Sequence, residues 1–501
     1  MRILNLLLLF CLSIATRAQE RLVTISDRWS DQLSSRYSLI PLEEQDAFVL
    51  TYPGQHGIQR VLKQNGYPPL AILQQVDDTA YQLAGYRRTV PTDPALIRLY
   101  NNYQTIGGVY RNKVLLEAIQ QNRRKAIYLV RTDLQSGNST LQDTIPYEHP
   151  EDLLSCVAYA GGLKLLLSIK GSSQLRIYTA TPGADLHYTI IDVPFRIAPS
   201  ASAGLRTGDV EQVSDLFYPR RFETFIGQLP YPALAARSRI KLFEQPGRLV
   251  ILVADSDART HALILDLATD TLSYRSFTQV GNDRHGSGTN AFLVDTILIT
   301  ARTDRSALNI EYFHLLDGRK LGEQVIDAST AASQTIDGIE KRGDFWKKTD
   351  VKSSDMSQFL SYASDNRLSL SAWRQDNDLI VDVAAPYKDV VGANILASVL
   401  VSAAGTYAIN SSSNTRGALF ASFPQAEALT YIGFQTAVSD GRFEARRIRP
   451  LRTFWQRWMS HLKPGQQVLA FMNGYFYVGQ TIDEDRRIVI SRFGAESTPG
   501  R

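Results

Sequence analysis

The sequence predicts an all-β fold, because one pattern of strands and turns recurs at a fixed spacing. Within residues 248–321, a short apolar run, a polar turn, a longer apolar run and a second turn occur twice. The second turns of the two copies, at Asp270 and Asp317, lie 47 residues apart. An earlier pair of turns, at Gly137 and Gly183, lies 46 residues apart. This period is typical of four-stranded propeller blades. The prediction is therefore a six- or seven-bladed β-propeller with a β-rich C-terminal extension.

The first 18 residues have the composition of a secretory signal peptide. Arg2 supplies a positive charge, residues 3–15 are apolar, and the small residues Thr16 and Ala18 precede a cleavage site after Ala18. A buried first helix is the alternative, but the apolar run is too short and too one-sided for an ordinary amphipathic helix. The sequence therefore predicts a signal peptide over residues 1–18 and a secreted protein, in the periplasm or at the cell surface.

The chain that remains is nearly balanced in charge. Removal of residues 1–18 takes away Arg2 and Arg17, which leaves 52 basic and 50 acidic residues. This balance argues against a general nucleic-acid-binding protein. Cys156 is then the one cysteine left, so intrachain disulfides cannot stabilise the predicted fold.

Residues 19–390 are expected to form the propeller. Its early strands are predicted at Ala47–Tyr52 and Ile58–Lys63, and a hairpin turn follows at Asn65-Gly66. Turn residues such as Gly, Asn, Ser and Pro bound the later runs, which favours strands. These later strands are predicted at Val114–Ile119, Ala126–Val130, Leu153–Tyr159, Leu163–Ile169, Leu175–Thr179 and Tyr188–Val193.

Residues 194–239 fill one further period but show the pattern poorly. Prolines are scattered through this part, and Tyr231–Arg237 has a helix-like pattern. We therefore expect a degenerate blade with an insertion at 194–239. After the two clear copies, a polar linker at 328–357 leads to a hairpin that begins with Leu368–Trp373.

Residues 391–501 are predicted to be a β-rich C-terminal part that either completes the propeller or packs on it. Turn sequences such as Asn473-Gly474 separate its apolar runs. Residues 390–409 contain no charged side chain, which raises the alternative of a transmembrane helix. Glycines and polar residues dilute this stretch, so buried strands are the favoured interpretation and no integral membrane span is expected.

The chain contains no strong catalytic or metal-binding signature. Its seven histidines never stand at the HxH or HExxH spacings that bring two imidazoles to one metal ion. Three Asp-x-Asp turns lack the glycine and the closing glutamate of a calcium loop. We therefore expect no metal ion and no cofactor, and an enzymatic activity is the less favoured interpretation.

One end of the predicted propeller carries a candidate ligand site. The loops from second to third strands and the loops between blades emerge at this end, which we call the loop face. The glycine-rich loop 281–288 is expected there, and its side chains offer an acceptor, a fixed cation and a group that titrates near neutral pH. The predicted ligand-binding residues are Asp283, Arg284, His285, Arg259, Arg302 and Arg305, with Arg374 on the same face. The alternative is an ordinary flexible connection.

A second candidate segment, residues 442–462, is rich in arginine and aromatic residues. Its aromatic residues recur at the spacing of one helix face, and Pro464-Gly465 ends the predicted helix. The predicted contacts with an anionic surface are Arg446, Arg447, Arg452, Trp455 and Trp458. The alternative is an amphipathic helix that packs on the propeller and leaves its arginines in solvent.

Through its period, its turns and its signal peptide, the chain resembles the broad class of secreted bacterial propellers over residues 36–390. It contains no WD dipeptides and no paired glycines of the kelch type. The class is functionally diverse, so the resemblance implies a scaffold and no particular activity. The favoured function is binding or scaffolding in the bacterial envelope, with an unknown envelope protein or an anionic glycan as partner. The alternatives are a propeller hydrolase or lyase that acts on glycans, and a structural assembly component.

Overall fold

The computed structural model describes the strands of the chain together with part of the connecting segments. The described residues are 20–26, 38–42, 47–51, 69–77, 80–88, 90–91, 103–121, 126–136, 138–146, 151–169, 171–194, 222–226, 231, 233–254, 259–279, 288–327, 339–342, 350–353, 356–364, 368–375, 377–386, 431–439, 441–446, 467–472, 475–482 and 487–494. Side chains are described only between residues 105 and 444.

The described strands form seven sheets, which we number as blades. Strand β1 is Glu20–Ser26. Blade 1 contains β2 (Ser38–Leu42), β3 (Ala47–Thr51), β4 (Pro69–Asp77) and β5 (Ala80–Arg88). Blade 2 contains β6 (Val90–Pro91), β7 (Tyr103–Arg111), β8 (Val114–Gln121), β9 (Ala126–Asp133) and β10 (Asn138–Pro146). Blade 3 contains β11 (Glu151–Tyr159), β12 (Gly162–Ile169), β13 (Gln174–Ala180) and β14 (His187–Asp192).

The second half of the chain supplies the other four blades. Blade 4 contains β15 (Phe222–Ile226), β16 (Ile240–Gln245), β17 (Arg248–Ala254), β18 (Arg259–Asp266) and β19 (Thr271–Thr278). Blade 5 contains β20 (Gly288–Val294), β21 (Ile297–Thr303), β22 (Ala307–His314) and β23 (Lys320–Asp327). Blade 6 contains β24 (Ile339–Arg342), β25 (Asp350–Ser353), β26 (Ser369–Gln375), β27 (Asp378–Pro386), β28 (Tyr431–Ser439) and β29 (Ala445–Arg446). Blade 7 contains β30 (Gln467–Met472), β31 (Tyr475–Ile482), β32 (Arg487–Gly494) and β1.

The first strands of successive blades lie against one another and line a common axis. Strand β2 contacts both β30 and β7, β7 contacts β11, and β20 contacts β26. Ser155 of β11 donates a hydrogen bond to Glu244 of β16 at 2.7 Å, which continues this series between blades 3 and 4. The fold is therefore the predicted all-β propeller, and its described part has seven blades.

The two ends of the described chain meet in one blade. Strand β1 pairs antiparallel with β32, so an N-terminal strand completes the sheet formed by the last three strands. Such pairing closes a ring of blades and leaves only short edges exposed. The pairing of β1 with β32 agrees with the alternative in which the C-terminal part completes the propeller. The domain boundary at residue 390 stays a prediction. Blade 6 joins strands from both sides of that boundary, because β27 pairs with β28.

In blades 3, 4 and 5, whose side chains are described, burial decreases from the inner strands to the outer strand. Every residue of β20 and β21 is buried, while five of the six residues of β14 are exposed. A central strand that packs on both faces needs apolar side chains throughout, and an outer strand needs them on one face only. This explains why the sequences of the inner strands are largely continuous apolar runs.

The degenerate blade at 194–239 stays a prediction, and the described residues of this stretch form no separate sheet. Strand β15 instead pairs in parallel with β16 and lies on the axial side of blade 4. A 3-10 helix follows at Ala233–Ala236 and contacts β26 and β27. The backbone N–H of Ala233 donates to Asp382 Oδ2 at 2.9 Å, and Ser371 Oγ donates to the carbonyl oxygen of Tyr231 at 2.5 Å. This segment therefore links blade 4 to blade 6 across the axis.

Short helix α1 (Met356–Tyr362) lies between blades 5 and 6 in the chain and packs with three buried side chains, Met356, Phe359 and Leu360. Within the described parts of the chain, no helix is long and apolar enough to cross a membrane. Residues 387–430, which include the uncharged stretch 390–409, lie outside the described residues.

The end of the propeller opposite the loop face carries polar contacts between blades. Arg374 Nε donates to Asp295 Oδ2 at 2.6 Å, and Gln245 Nε2 donates to the carbonyl oxygen of Asp295 at 2.8 Å. Asp295 lies in the turn between β20 and β21, and Arg374 lies near the end of β26, just before the turn to β27. The prediction that Arg374 lies on the loop face is therefore wrong, because β26 is the axial strand of blade 6 and turns into β27 at the opposite end.

Candidate functional site

A cluster of polar side chains lies where β15, β16 and β20 meet at the axis. The parallel pairing of β15 with β16 places Glu223 directly opposite Lys241. Asn290 comes from β20 of the next blade, and Ser238 precedes β16. We call these four residues the axial cluster. They stand near the beginnings of β16 and β20, and therefore close to the loop face.

Hydrogen bonds connect the axial cluster to three blades. Lys241 Nζ donates to the carbonyl oxygen of Ser238 at 2.5 Å and to Asn290 Oδ1. Asn290 Nδ2 donates to the carbonyl oxygen of Leu368, just before β26, at 2.7 Å. Glu223 Oε2 accepts the backbone N–H of Ser238 at 3.1 Å. A buried ammonium is tolerated in a protein only with such acceptors around it.

Burial shifts the protonation of both charged groups in the cluster. It raises the pKa of Glu223 from 4.5 to about 7, although Lys241, the Ser238 N–H and Arg237 oppose this effect. Burial also lowers the pKa of Lys241 from 10.5 to about 7, against the attraction of Glu223 and with a further lowering by Arg239. Near neutral pH both groups therefore stand close to their titration midpoints, the range in which a side chain exchanges protons most readily.

Aromatic side chains pack along the face of β16 that points to the axis. They lie next to the axial cluster, farther from the loop face. Phe225 stacks on Phe243 with ring centroids 5.1 Å apart. It also meets Tyr231 and Phe292 edge to face, at 4.9 Å and 5.0 Å. These rings are almost completely buried. They keep water away from one side of the axial cluster, which strengthens the effect of burial on its two charged groups.

The predicted ligand-binding residues are only partly within the described chain. Arg259 and Arg305 are exposed at the loop face, at the start of β18 and in the turn after β21. Arg302 is 6% exposed and lies within β21 rather than on the surface. Asp283, Arg284 and His285 lie outside the described residues. Their role therefore stays a prediction.

One glycine of the predicted flexible loop is needed for packing. A Cβ atom on Gly288 would lie 2.0 Å from the carbonyl oxygen of Ala363, which follows α1. Atoms cannot approach so closely, so only glycine lets β20 begin against this backbone.

The predicted anionic-surface segment is also mostly beyond the described chain. Arg446 belongs to the short strand β29, which pairs with β28. Its side chain, and the residues Arg447, Arg452, Trp455 and Trp458, lie outside the described part. Their contact with an anionic surface remains a prediction.

Two arginines near the loop face were missed by the sequence prediction. Arg237 is exposed and Arg239 is half-buried, on either side of Ser238. Both lie close enough to the axial cluster to influence the pKa values of Glu223 and Lys241. The sequence gives little indication that these two arginines are functional, because Arg237 only ends the helix-like stretch Tyr231–Arg237.

The one described acid in the turn around Arg305 is used by the turn itself. Asp304 Oδ1 accepts hydrogen bonds from the backbone N–H groups of Ser306 and Ala307 and from the Ser306 hydroxyl, at 2.7, 2.9 and 2.6 Å. Burial raises the pKa of Asp304, but these hydrogen bonds outweigh burial and lower the pKa overall. The carboxylate thus fixes the turn that presents Arg305.

Within the described residues, no group of three or more His, Cys, Asp and Glu side chains could hold a metal ion. No protein-family model matches the chain, and no curated protein matches it.

Three solved structures illustrate what the fold is similar to. The periplasmic gluconolactonase PpgL of Pseudomonas aeruginosa is 12% identical, with a TM-score of 0.27, over 57% of this chain and 69% of that chain. BBS1N in complex with ARL6DN is 9% identical, with a TM-score of 0.31, over 96% and 99%. The WD40 domain of SCAP from fission yeast is 9% identical, with a TM-score of 0.27, over 95% and 99%.

Proposed function

We propose that the protein is a secreted envelope or cell-surface binding protein whose loop face binds an anionic glycan. The observation that carries the proposal is the set of exposed guanidinium groups at the loop face of blades 4 and 5. These loop-face arginines are Arg237, Arg259 and Arg305.

The charge around the loop-face arginines favours a carboxylate-bearing ligand. Arg239 adds a half-buried positive charge beside Arg237. Asp304 is engaged in its own turn, and the raised pKa of Glu223 reduces its negative charge near neutral pH. A guanidinium group binds a carboxylate through two parallel hydrogen bonds, which fixes orientation as well as charge. Repeated carboxylates along a glycan would match arginines that are spread over two blades.

Replacing the three loop-face arginines with alanine is expected to weaken binding of tetragalacturonate about tenfold at low salt. Each exposed charge pair contributes about 0.5 kcal/mol, and three such losses together correspond to about that factor. Isothermal titration calorimetry would measure the affinity of each variant. Maltotetraose, a neutral tetrasaccharide, is the ligand control and is expected not to bind.

A matched variant separates a local effect from a change in net charge. Arg275, Arg319 and Arg442 are exposed away from the loop face, so their triple alanine variant loses the same charge. It is expected to keep the wild-type affinity for tetragalacturonate within about twofold, because exposed charges far from the bound glycan interact with it only weakly through water. Equal losses in both triple variants, or no binding by the wild type, would contradict the proposal.

The axial cluster favours one second candidate, a hydrolase or lyase that acts on glycans. Glu223 and Lys241 have pKa values of about 7, which suits proton transfer in either direction. The assay is the release of reducing ends or unsaturated sugar ends from polygalacturonate. A binding protein is expected to release neither. Turnover by the wild type that Glu223→Gln abolishes, with unchanged thermal stability, would establish the enzyme in place of the binding protein.

A further inference from the structure

The outer strand of blade 3 exposes apolar side chains at the rim of the propeller. Tyr188 and Ile190 of β14 are 60% and 45% exposed. They are two residues apart, and therefore point to the same side of the sheet. An edge strand that exposes apolar side chains favours pairing with another chain.

An arginine and a second tyrosine complete this surface. Across the strand pair, Arg176 lies opposite Ile190 and Tyr178 lies opposite Tyr188. The Arg176 guanidinium carbon is 5.4 Å from the ring centre of Tyr188 and 5.9 Å from that of Tyr178, and Arg176 Nη1 donates to the Tyr178 hydroxyl at 3.1 Å. The two rings are 5.6 Å apart. We call these four residues the rim patch.

Additional strands cover the outer edges of two other blades. In blade 2, β6 pairs in parallel with the outer strand β10. In blade 6, β24 pairs with β28 and β25 extends the sheet further. Rims of this propeller therefore accept a fifth strand. No described strand pairs with the outer edge of β14.

The β14 edge also has little of the charge that normally prevents strand addition. Lysine and other charged side chains are the usual protection of an exposed edge. Strand β23 of blade 5 has this protection in Lys320 and Glu323, which form a salt bridge at 2.5 Å. Strand β14 has one acid, Asp192, which accepts a hydrogen bond from Gln174 Nε2 at 2.9 Å.

We propose that β14 is the docking edge for an extended segment of a partner protein, which adds to blade 3 as a fifth strand. Main-chain hydrogen bonds along β14 provide the affinity in this mode of recognition, and alternate side chains provide the specificity. The segment places an apolar side chain against Tyr188 and Ile190 and an acidic side chain near Arg176. Its end next to Asp192 is neutral or basic. This site is independent of the loop face and of the glycan proposed there.

The probe is a phage-displayed library of ten-residue peptides selected on the full-length protein. Enriched peptides are expected to alternate apolar and polar residues and to carry an Asp or Glu. In titrations with a synthetic enriched peptide, Ile190→Lys is expected to lower the affinity about tenfold or more, as for the loss of a central interface contact. Val325→Lys is the matched control, because Val325 is 49% exposed on the outer strand β23. It is expected to change the affinity less than about twofold.

Two further measurements distinguish strand addition from other uses of the rim patch. Bound peptide is expected to slow hydrogen exchange of the amides in residues 187–192, and N-methylation of alternate peptide residues is expected to abolish binding. Peptides that bind equally well to Ile190→Lys, or a library without enriched peptides, would overturn the proposal. So would a sugar ligand that needs Tyr188, or a concentration-dependent dimer that Ile190→Lys dissociates, since either assigns the surface to another occupant.

Discussion

Glu117→Gln is expected to stabilise the folded protein by about 3 kcal/mol at pH 8. Glu117 lies in the second strand of blade 2, is 6% exposed, and accepts a hydrogen bond from the Thr105 hydroxyl at 3.4 Å. Burial raises its pKa from 4.5 to about 7, and the Thr105 hydrogen bond lowers it only partly. Since a tenfold change in an equilibrium constant is about 1.4 kcal/mol, this raised pKa corresponds to about 3 kcal/mol.

The sign of the pH dependence follows from the raised pKa. The folded chain holds the Glu117 proton more tightly than the unfolded chain, so this group's contribution is fully present below pH 4.5 and is lost as pH rises through about 7. Glutamine has nearly the same shape, accepts the Thr105 hydroxyl and never ionises. The advantage of the variant is therefore expected to be about 1 kcal/mol at pH 5 and about 3 kcal/mol at pH 8.

Guanidinium unfolding at several pH values, followed by tryptophan fluorescence, measures this difference. Glu444→Gln is the matched control, because Glu444 is exposed and is expected to shift the free energy of unfolding by less than about 0.5 kcal/mol. A variant that is less stable than the wild type at pH 8, or an advantage independent of pH, would show that Glu117 is a stabilising ion in the folded protein.

Lys241→Met is expected to lower the free energy of unfolding by about 2 to 4 kcal/mol at pH 8. The Lys241 side chain is completely buried, and its removal leaves the Ser238 carbonyl oxygen without this donor and leaves Asn290 Oδ1 with only the Ala291 N–H. Methionine fills most of the volume but donates no hydrogen bond. A buried acceptor left without a donor costs about 1 to 3 kcal/mol, and the lysine amine donates these two hydrogen bonds whether it is charged or neutral.

The loss is expected to be smaller at pH 5 than at pH 8. Because the pKa of Glu223 is raised, its contribution to the free energy of unfolding is present below pH 4.5 and is lost as pH rises through about 7. At pH 5 the carboxyl group is therefore protonated and needs no nearby cation. The contribution of Lys241, whose pKa is lowered, is present above pH 10.5 and lost as pH falls through about 7. Without Lys241, only Glu223 makes the free energy of unfolding depend on pH here, and its contribution falls as pH rises.

A second substitution separates charge from packing. Glu223→Gln in the Lys241→Met background is expected to recover part of the lost stability at pH 8, because it removes the unpaired carboxylate. Arg275→Met, at an exposed position, is the control and is expected to change the free energy of unfolding by less than about 0.5 kcal/mol. A Lys241→Met variant as stable as the wild type would mean that the axial cluster does not hold blades 4, 5 and 6 together.

Local patterns in the sequence were sufficient for the predicted strands that fall within the described residues. The predicted strand Leu163–Ile169 differs by one residue from β12, and the predicted strand Leu175–Thr179 lies within β13. Strand and turn are decided by side chains a few residues apart, and the repeat period follows from adding such units along the chain. The all-β propeller was therefore determined by the sequence alone.

Only the tertiary structure decided which strands form each blade and which distant residues meet between blades. The closing pair of β1 with β32 joins residues at opposite ends of the chain, and the parallel pairing of β15 with β16 adds a strand to the axial side of blade 4. The misplacement of Arg374 has the same origin, since the end at which a turn emerges depends on where its blade begins. The axial cluster unites Glu223, Lys241 and Asn290 through the packing of separate blades, and contacts between distant parts of a chain leave no period in the sequence to reveal them.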